Sequence, residues 1–266
     1  MKESWKEEAW ENFLTKFWDN RPEGTASVLY TSKDLEPILS KYTKSGQGEI
    51  RIFHYQNEKV EAVKKRGVTK IPVTRGSWRI IEKIKPIDFS EPSDGGIFIS
   101  NSKMTEGMVI GITDTLNTKS NPGETTLLAI ANHTGVIADF YNLKERGVLF
   151  TGGRQRAGIS LNMGGDTVDM SKAQIEIDGG FEWSNFVVIA EMKSSFKQEN
   201  FDINQAVIPF LKWKKLFKNK EVKAMVLFAE TNIKGVEYWA YDVEVSLNPN
   251  GLEVRMVKSK KYIIEV

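Results

Sequence analysis

Gln174-Ile-Glu-Ile-Asp178-Gly-Gly-Phe-Glu-Trp-Ser-Asn185-Phe-Val-Val-Ile-Ala-Glu191-Met-Lys193 is the stretch whose reading decides the fold. Phe186 to Ala190 is an unbroken apolar run that leads into Glu191-Met192-Lys193. A run of that length, rich in β-branched residues, reads as a strand buried on both faces. Side chains alternate along a strand, so Glu191 and Lys193 project from one face and Met192 from the other. Two charges at the end of a buried strand are costly unless something binds or pairs them. The preceding segment supplies a partner. A hairpin turning at Ser184-Asn185 sets Asp178 opposite Glu191, and directly opposed residues share a face with Cβ atoms roughly 4.5–5.5 Å apart. Ser-Asn is not the strongest two-residue turn, so a slip of a residue or two stays open. Glu176 lies on the face of Asp178 by the same alternation and is either a ligand or a solvated neighbour.

Two carboxylates and an ammonium group thus converge on one point. Left alone, the acids repel and one takes up a proton. A hard divalent cation removes that conflict, and oxygen-only ligation with retained waters suits magnesium. Asp178 and Glu191 are the ligands this arrangement offers, with the backbone carbonyl of Met192 as an extra one.

The Asp-(x12)-Glu-x-Lys pattern resembles the PD-(D/E)XK nuclease superfamily. The surrounding words are similar to those of a group of type II restriction endonucleases: Gln174-Ile-Glu-Ile-Asp-Gly-Gly-Phe-Glu, then Ile189-Ala-Glu-Met-Lys, then Ile203-Asn-Gln205 with Pro209. The similarity extends upstream through Lys70-Ile-Pro-Val-Thr-Arg-Gly-Ser77 and Glu124-Thr-Thr-Leu-Leu-Ala-Ile-Ala-Asn-His-Thr-Gly135. Ile177 stands before the Asp where the motif's name has a Pro, as in many superfamily members. The resemblance implies magnesium-dependent hydrolysis of double-stranded DNA at a short specific sequence. It assigns Asp178, Glu191 and Lys193 to catalysis, with Gln205 positioning Lys193 or the attacking water. It also implies a homodimer, and a companion DNA methyltransferase acting on the same site. A structure-specific nuclease of the same superfamily, acting on junctions or damaged DNA, is the alternative. From another class, a non-catalytic DNA-binding module that keeps the fold is weighed against both; the intact Asp178, Glu191 and Lys193 argue against it.

Downstream of Lys193, residues 194–200 read as a polar turn, and Asp202 caps a helix carrying Ile203, Val207, Phe210, Leu211 and Leu216. Gln205 sits in its first turn. Pro209 removes one backbone hydrogen bond inside it and predicts a kink. Lys212, Lys214, Lys215, Lys218, Lys220 and Lys223 crowd its far end. Such a density is usually a solvated face; beside a nuclease centre, Lys212 and Lys215 are candidates for the phosphate backbone. Residues 222–229, 236–245, 252–257 and 262–266 read as strands that complete the sheet.

Upstream, residues 146–158 form the most basic loop near the core, with Arg146, Arg154 and Arg156 among four glycines. Glycines admit a phosphate close to the backbone, and arginine makes bidentate contacts to phosphate or guanine. Its place directly before the hairpin favours DNA contact over a turn with solvated arginines. Residues 117–123 crowd Asn, Lys, Ser, Pro and Gly, which marks a boundary before a helix that begins at Pro122 to Glu124. The resemblance makes Glu124 a further metal ligand, since a glutamate on the first core helix often completes such sites. An acid that stabilises the helix N-terminus is an equal reading. Residues 1–116 read as a smaller α+β region for DNA binding or dimerisation. It opens with an aromatic helix at 4–18, capped by Ser4 and Glu7. It continues with a strand at 26–30, a helix capped by Ser32, a strand at 49–55 and a short helix at 58–66. His54 reads as a packed or solvated histidine. Strands at 70–73 and 77–84, and another at 97–100, follow.

The fold class is therefore α/β: a mixed, largely antiparallel central sheet flanked by helices, restriction-endonuclease-like, over 117–266. The 266 residues are 40% hydrophobic and 27% charged, ordinary values for a sizeable core. A net charge of +2 means that any DNA surface must come from local clustering. With no cysteine and only two histidines, disulfides and thiolate metal sites are excluded and a structural zinc is disfavoured. No apolar run approaches the ~20 residues of a membrane span, and the start is too charged for a signal peptide, so a cytoplasmic protein is expected.

Overall fold

The computed structural model describes residues 4–41, 61–74, 76–82, 87, 89–93, 95–100, 104–117, 122–163, 166–196, 201–232, 234–248 and 251–265. The strand read at 49–55, with His54, lies outside them, as does Arg75. The first elements are α1 (Ser4–Leu14), a π-helical turn (Thr15–Asp19), β1 (Ser27–Thr31), α2 (Ser32–Leu39), α3 (Glu61–Arg66), β2 (Val68–Thr74) and β3 (Ser77–Glu82). The three strands form an antiparallel sheet in the order β1-β3-β2. The aromatic stripe of α1 packs onto it: Trp10, Phe13, Leu14 and Trp18 are buried with Tyr30 and Ile80. Glu7 does not serve its own helix. Its carboxylate accepts the N–H groups of Glu61 and Ala62 at 2.8 and 2.5 Å, so the acid caps α3 instead. Thr31, not Ser32, caps α2: its N–H and Oγ1 both donate to Asp34 Oδ2 at 2.7 Å.

The chain continues through β4 (Ile97–Ile99), α4 (Glu106–Asn117), α5 (Glu124–His133), α6 (Val136–Phe140), β5 (Val148–Arg156), β6 (Ser160–Met163), β7 (Asp166–Asp169), β8 (Gln174–Glu182), β9 (Phe186–Lys193), α7 (Asn204–Leu216), β10 (Glu221–Asn232), β11 (Gly235–Asn248) and β12 (Gly251–Glu265). Seven of these strands make one sheet in the order β4-β12-β11-β10-β9-β8-β5. The pairs β9/β10 and β12/β4 are parallel and the rest antiparallel, which makes an α/β fold with a mixed sheet. Chain from before residue 117 joins this sheet: β4 pairs with β12, and Ile112 of α4 is buried in the same core as α5.

Helices cover both faces. On one side α5 and α6 bury Leu127, Leu128, Ala131, Val136, Ile137 and Phe140 against the sheet. On the other, α7 buries Ala206, Val207, Ile208 and Phe210 and runs through Pro209 without interruption. β9 shows why its sequence is apolar throughout: Phe186, Val188, Ala190 and Met192 face α5/α6, while Val187 and Ile189 face the α7 side.

Two segments differ from the sequence reading. Most of the basic loop at 146–158 is the edge strand β5, because Val148, Leu149, Thr151 and Gly153 to Arg156 pair with β8. The glycines mark irregularities in that pairing, at Leu149/Thr151 and Thr151/Gly153, with Gly153 at φ +73°. The segments read at 252–257 and 262–266 are, as far as residue 265, one long strand, β12, since Lys258 to Lys261 keep pairing with β11 through the charged stretch. No described helix is long and apolar enough to cross a membrane.

Candidate functional site

Hairpin register creates the site. β8 and β9 are joined across Ser184-Asn185, with Trp183 N–H donating to Phe186 O at 2.8 Å. The pairs run Glu182↔Val187, Phe181↔Val188, Gly180↔Ile189 and Gly179↔Ala190, the register that sets Asp178 against Glu191. Hydrogen-bonded pairs recur at every second position of an antiparallel ladder, so the next after Gly179↔Ala190 is Ile177 with Met192. Pairing stops before it. Ile175 and Ile177 pack on the α7 side while Phe181 packs under α5/α6, so β8 turns over near Asp178 and leaves β9. The Met192 N–H that a continued ladder would give to Ile177 O donates instead to Asp178 Oδ2 at 2.8 Å. The strands part there, and the acids stand in the opening.

Gly179 fixes the third acid. A Cβ built on Gly179 would lie 2.7 Å from Leu128 Cδ2, so a side chain here would force Leu128 of α5 to shift. Glu124 precedes Leu128 by one helical turn and shares its face. Docking Leu128 over Gly179 therefore delivers Glu124 to the opening, where its carboxylate lies 3.5 Å from Lys193 Nζ. We expect Gly179→Ala to cost about 1–3 kcal/mol through overpacking. It should also disturb Glu124 specifically. A chemical-denaturation midpoint that is unchanged would contradict the tight packing.

The charges are strongly coupled. Glu191 is 3% exposed, and Lys193 Nζ donates to its Oε1 at 2.7 Å. Burial is the main cause that pushes the Glu191 carboxyl up to about 8; Lys193 opposes it, while Asp178 and Glu124 add to the rise. Glu124 is also raised, first by its burial, then against the pull of Lys193 and with the push of Asp178. For Lys193, burial works to lower the pKa, but Glu191, Glu124 and Asp178 together hold it above its ordinary value. One ammonium thus serves three carboxylates, which is an acid surplus.

The other residues singled out from the sequence scatter. Gln205 is in the first turn of α7, with its backbone N–H donating to Asp202 O at 2.9 Å. Among the described residues no hydrogen bond links its side chain to Lys193 or the acids. Arg146 lies between α6 and β5 and donates to His133 O at 3.2 Å. Arg154 and Arg156 are exposed on β5, with Arg154 3.7 Å from the exposed Glu176. Lys212 donates to Gln155 Oε1 at 2.6 Å and Arg156 O at 2.9 Å, so it braces α7 against the edge strand. Lys215 is exposed. Glu182 at the turn is paired with Lys220. The contact that the sequence reading misses is Leu128 on Gly179; the pair Gly179-Gly180 in a strand is the signal that marks it, since glycine in a strand admits close approach.

Among the described residues no three His, Cys, Asp or Glu side chains are already gathered for a metal ion. The donor chemistry nevertheless suits a hard cation. The Lys193 ammonium now lies between Glu191 and Glu124, and the charge of Asp178 adds to the rise of both acids, a set of oxygen donors with one cation to balance it.

The fold and site define an α/β protein with a carboxylate–lysine cluster at a parted hairpin. The chain belongs to the family described as a domain of unknown function (DUF6997), whose model matches residues 99–263 and so takes in Glu124, Asp178, Glu191, Lys193 and Gln205. No curated protein and no solved structure matches the chain.

Proposed function

We propose that this protein is a metal-dependent endonuclease that hydrolyses phosphodiester bonds of double-stranded DNA at a short specific sequence, with a restriction-endonuclease-like core. The observation that carries the reading is the opening between β8 and β9, where Glu191 and Glu124 share the ammonium of Lys193 and Asp178 accepts the intervening Met192 N–H. Asp178, Glu191, Glu124 and the Met192 carbonyl are the groups that would hold magnesium. Bound magnesium would supply a Lewis acid for the scissile phosphate and an acidified water. The chain's own part is electrostatic. Lys193, held protonated by three acids, donates toward a phosphate oxygen or the water and offsets developing charge. Its raised pKa makes it a poor proton acceptor, so orienting the water is its role here. Gln205 has a positioning role only if its side chain turns toward the opening. A homodimer reading a palindrome, and a companion methyltransferase protecting the same site, accompany this proposal.

The test is digestion of methylation-free plasmid DNA with magnesium, followed by sequencing of fragment ends. Discrete fragments sharing one end sequence are the expected result. Preferential cutting of branched duplexes would move the assignment to a structure-specific nuclease. No cleavage with magnesium or manganese, despite DNA binding, would leave a non-catalytic binding module. Calcium, whose looser coordination positions a water poorly, should support binding with little cleavage. Turnover in calcium equal to that in magnesium would contradict this.

A further inference from the structure

The edge strand β5 carries a second charged feature that the cluster at the opening does not use. Arg154, Gln155, Arg156, Lys172 and Gln174 line a concavity of about 380 Å³. None of these five is acidic. Arg154 and Arg156 are two apart on β5 and so share a face. They oppose Glu176 and Gln174 on β8, while Lys172 comes from the turn that leads into β8. Gln155 between them is tied down: its amide donates to Thr151 Oγ1 and its Oε1 accepts from Lys212, which anchors the strand to α7. The arginine face is thus held out by a braced backbone. Charges on an exposed edge also guard it against pairing with another strand, so β5 is suited to a polyanion more than to a second β-edge.

We propose that Arg154, Arg156 and Lys172 form a subsite for a backbone phosphate of the bound nucleic acid, beside the strand that carries Asp178. The identity of the polyanion rests on the nuclease reading above. Gln174 and Asp178 are four residues apart on β8, which at ~3.3 Å per residue puts the subsite roughly 13 Å from the opening. That separation is well inside one ~34 Å turn of duplex, so both contact the same DNA segment. The ligand is phosphate and not a base edge, because three cations, two from β5 and one from the turn before β8, line one concavity, an arrangement that matches charge without reading a hydrogen-bond pattern. Of the two contacts that the sequence offers these arginines, phosphate or guanine, this selects phosphate. Glu176 restrains the subsite: its carboxylate, 3.7 Å from Arg154, competes with the phosphate for that guanidinium. Both side chains are largely exposed, so the pair itself adds little stability and exchanges readily.

The experiment is equilibrium binding of a fluorescent mixed-sequence duplex to the full chain in calcium, at several salt concentrations. Arg156→Ala and Lys172→Ala are each expected to lower the salt slope by about one, equally for every duplex sequence. Glu176→Gln is expected to tighten binding and steepen the slope, as Arg154 becomes free to displace a further counterion. All three sites are exposed, so unchanged thermal melts will show that the variants fold. If the wild type binds DNA but all three variants keep its slope, the subsite is wrong and the nuclease reading stands. If Arg156→Ala changes the ratio between two duplex sequences, the arginine reads bases and the phosphate assignment is overturned. If the wild type neither binds nor cuts any duplex, both proposals fall.

Discussion

Asp178→Asn, Glu191→Gln and Lys193→Ala should each lower magnesium-dependent plasmid cleavage by at least about a hundredfold, the scale of losing one preorganised charge contact at a reacting centre. The reason differs for each. Asp178 holds the Met192 N–H at 2.8 Å and so sets the position of the backbone between the two charged residues. Glu191 is the buried acid that Lys193 contacts, and Lys193 is the cation that three acids hold in place. Because they act on the same phosphate and water, their effects should not add: a double variant should be scarcely worse than the worst single one. Glu124→Gln should be milder, since Glu124 lies 3.5 Å from Lys193 and its side chain is far more exposed than that of Glu191. Rates come from quantifying linearised plasmid, with circular dichroism to show that each variant folds. A chain carrying both Asp178→Asn and Glu191→Gln that cuts at the wild-type rate would end the nuclease proposal.

The hairpin is legible in the sequence because its information is local. Alternation, the apolar run and the turn at Ser184-Asn185 set one register, and Gly179↔Ala190 has it. Glu124 is legible only as a position. What brings it to the opening is a packing event, Leu128 against Gly179, between residues some fifty positions apart, and no periodicity announces it. β5 is misread for a related reason. Arginines and glycines at that density look like a loop, and only the presence of β8 alongside makes Val148 to Arg156 a strand. Lys212 shows the limit of counting charges: among six lysines, this one spends its donors on Gln155 and the Arg156 carbonyl, a partner choice that depends on where α7 docks. Gln205 is placed near the start of α7 as expected, yet a residue in the right turn need not face the right way.

A second large effect should appear in stability, with no DNA present. Glu191 sits near pKa 8 in the folded chain, mainly from burial, while in the unfolded chain it returns to about 4.3. Between those values the native state keeps a proton that the unfolded state releases, so stability must fall as pH rises through that window. Below it both states are protonated and the contribution is fully present; above about 8 the loss is complete. The drop should be on the order of a few kcal/mol, and Lys193, whose own titration lies higher, does not cancel it. Glu191→Gln removes the titrating proton and should flatten the curve, leaving the variant more stable than wild type at pH 8 and not at pH 5. Calcium should restore stability to the wild type by binding the folded state alone, and do so more at pH 8 than at pH 6, because the cation and the proton compete for one carboxylate. Urea midpoints across this range, with and without calcium, measure both effects. A pH slope shared by wild type and Glu191→Gln would place the titrating group elsewhere. Calcium that stabilises Glu191→Gln as strongly as the wild type would separate the cation from this cluster of acids.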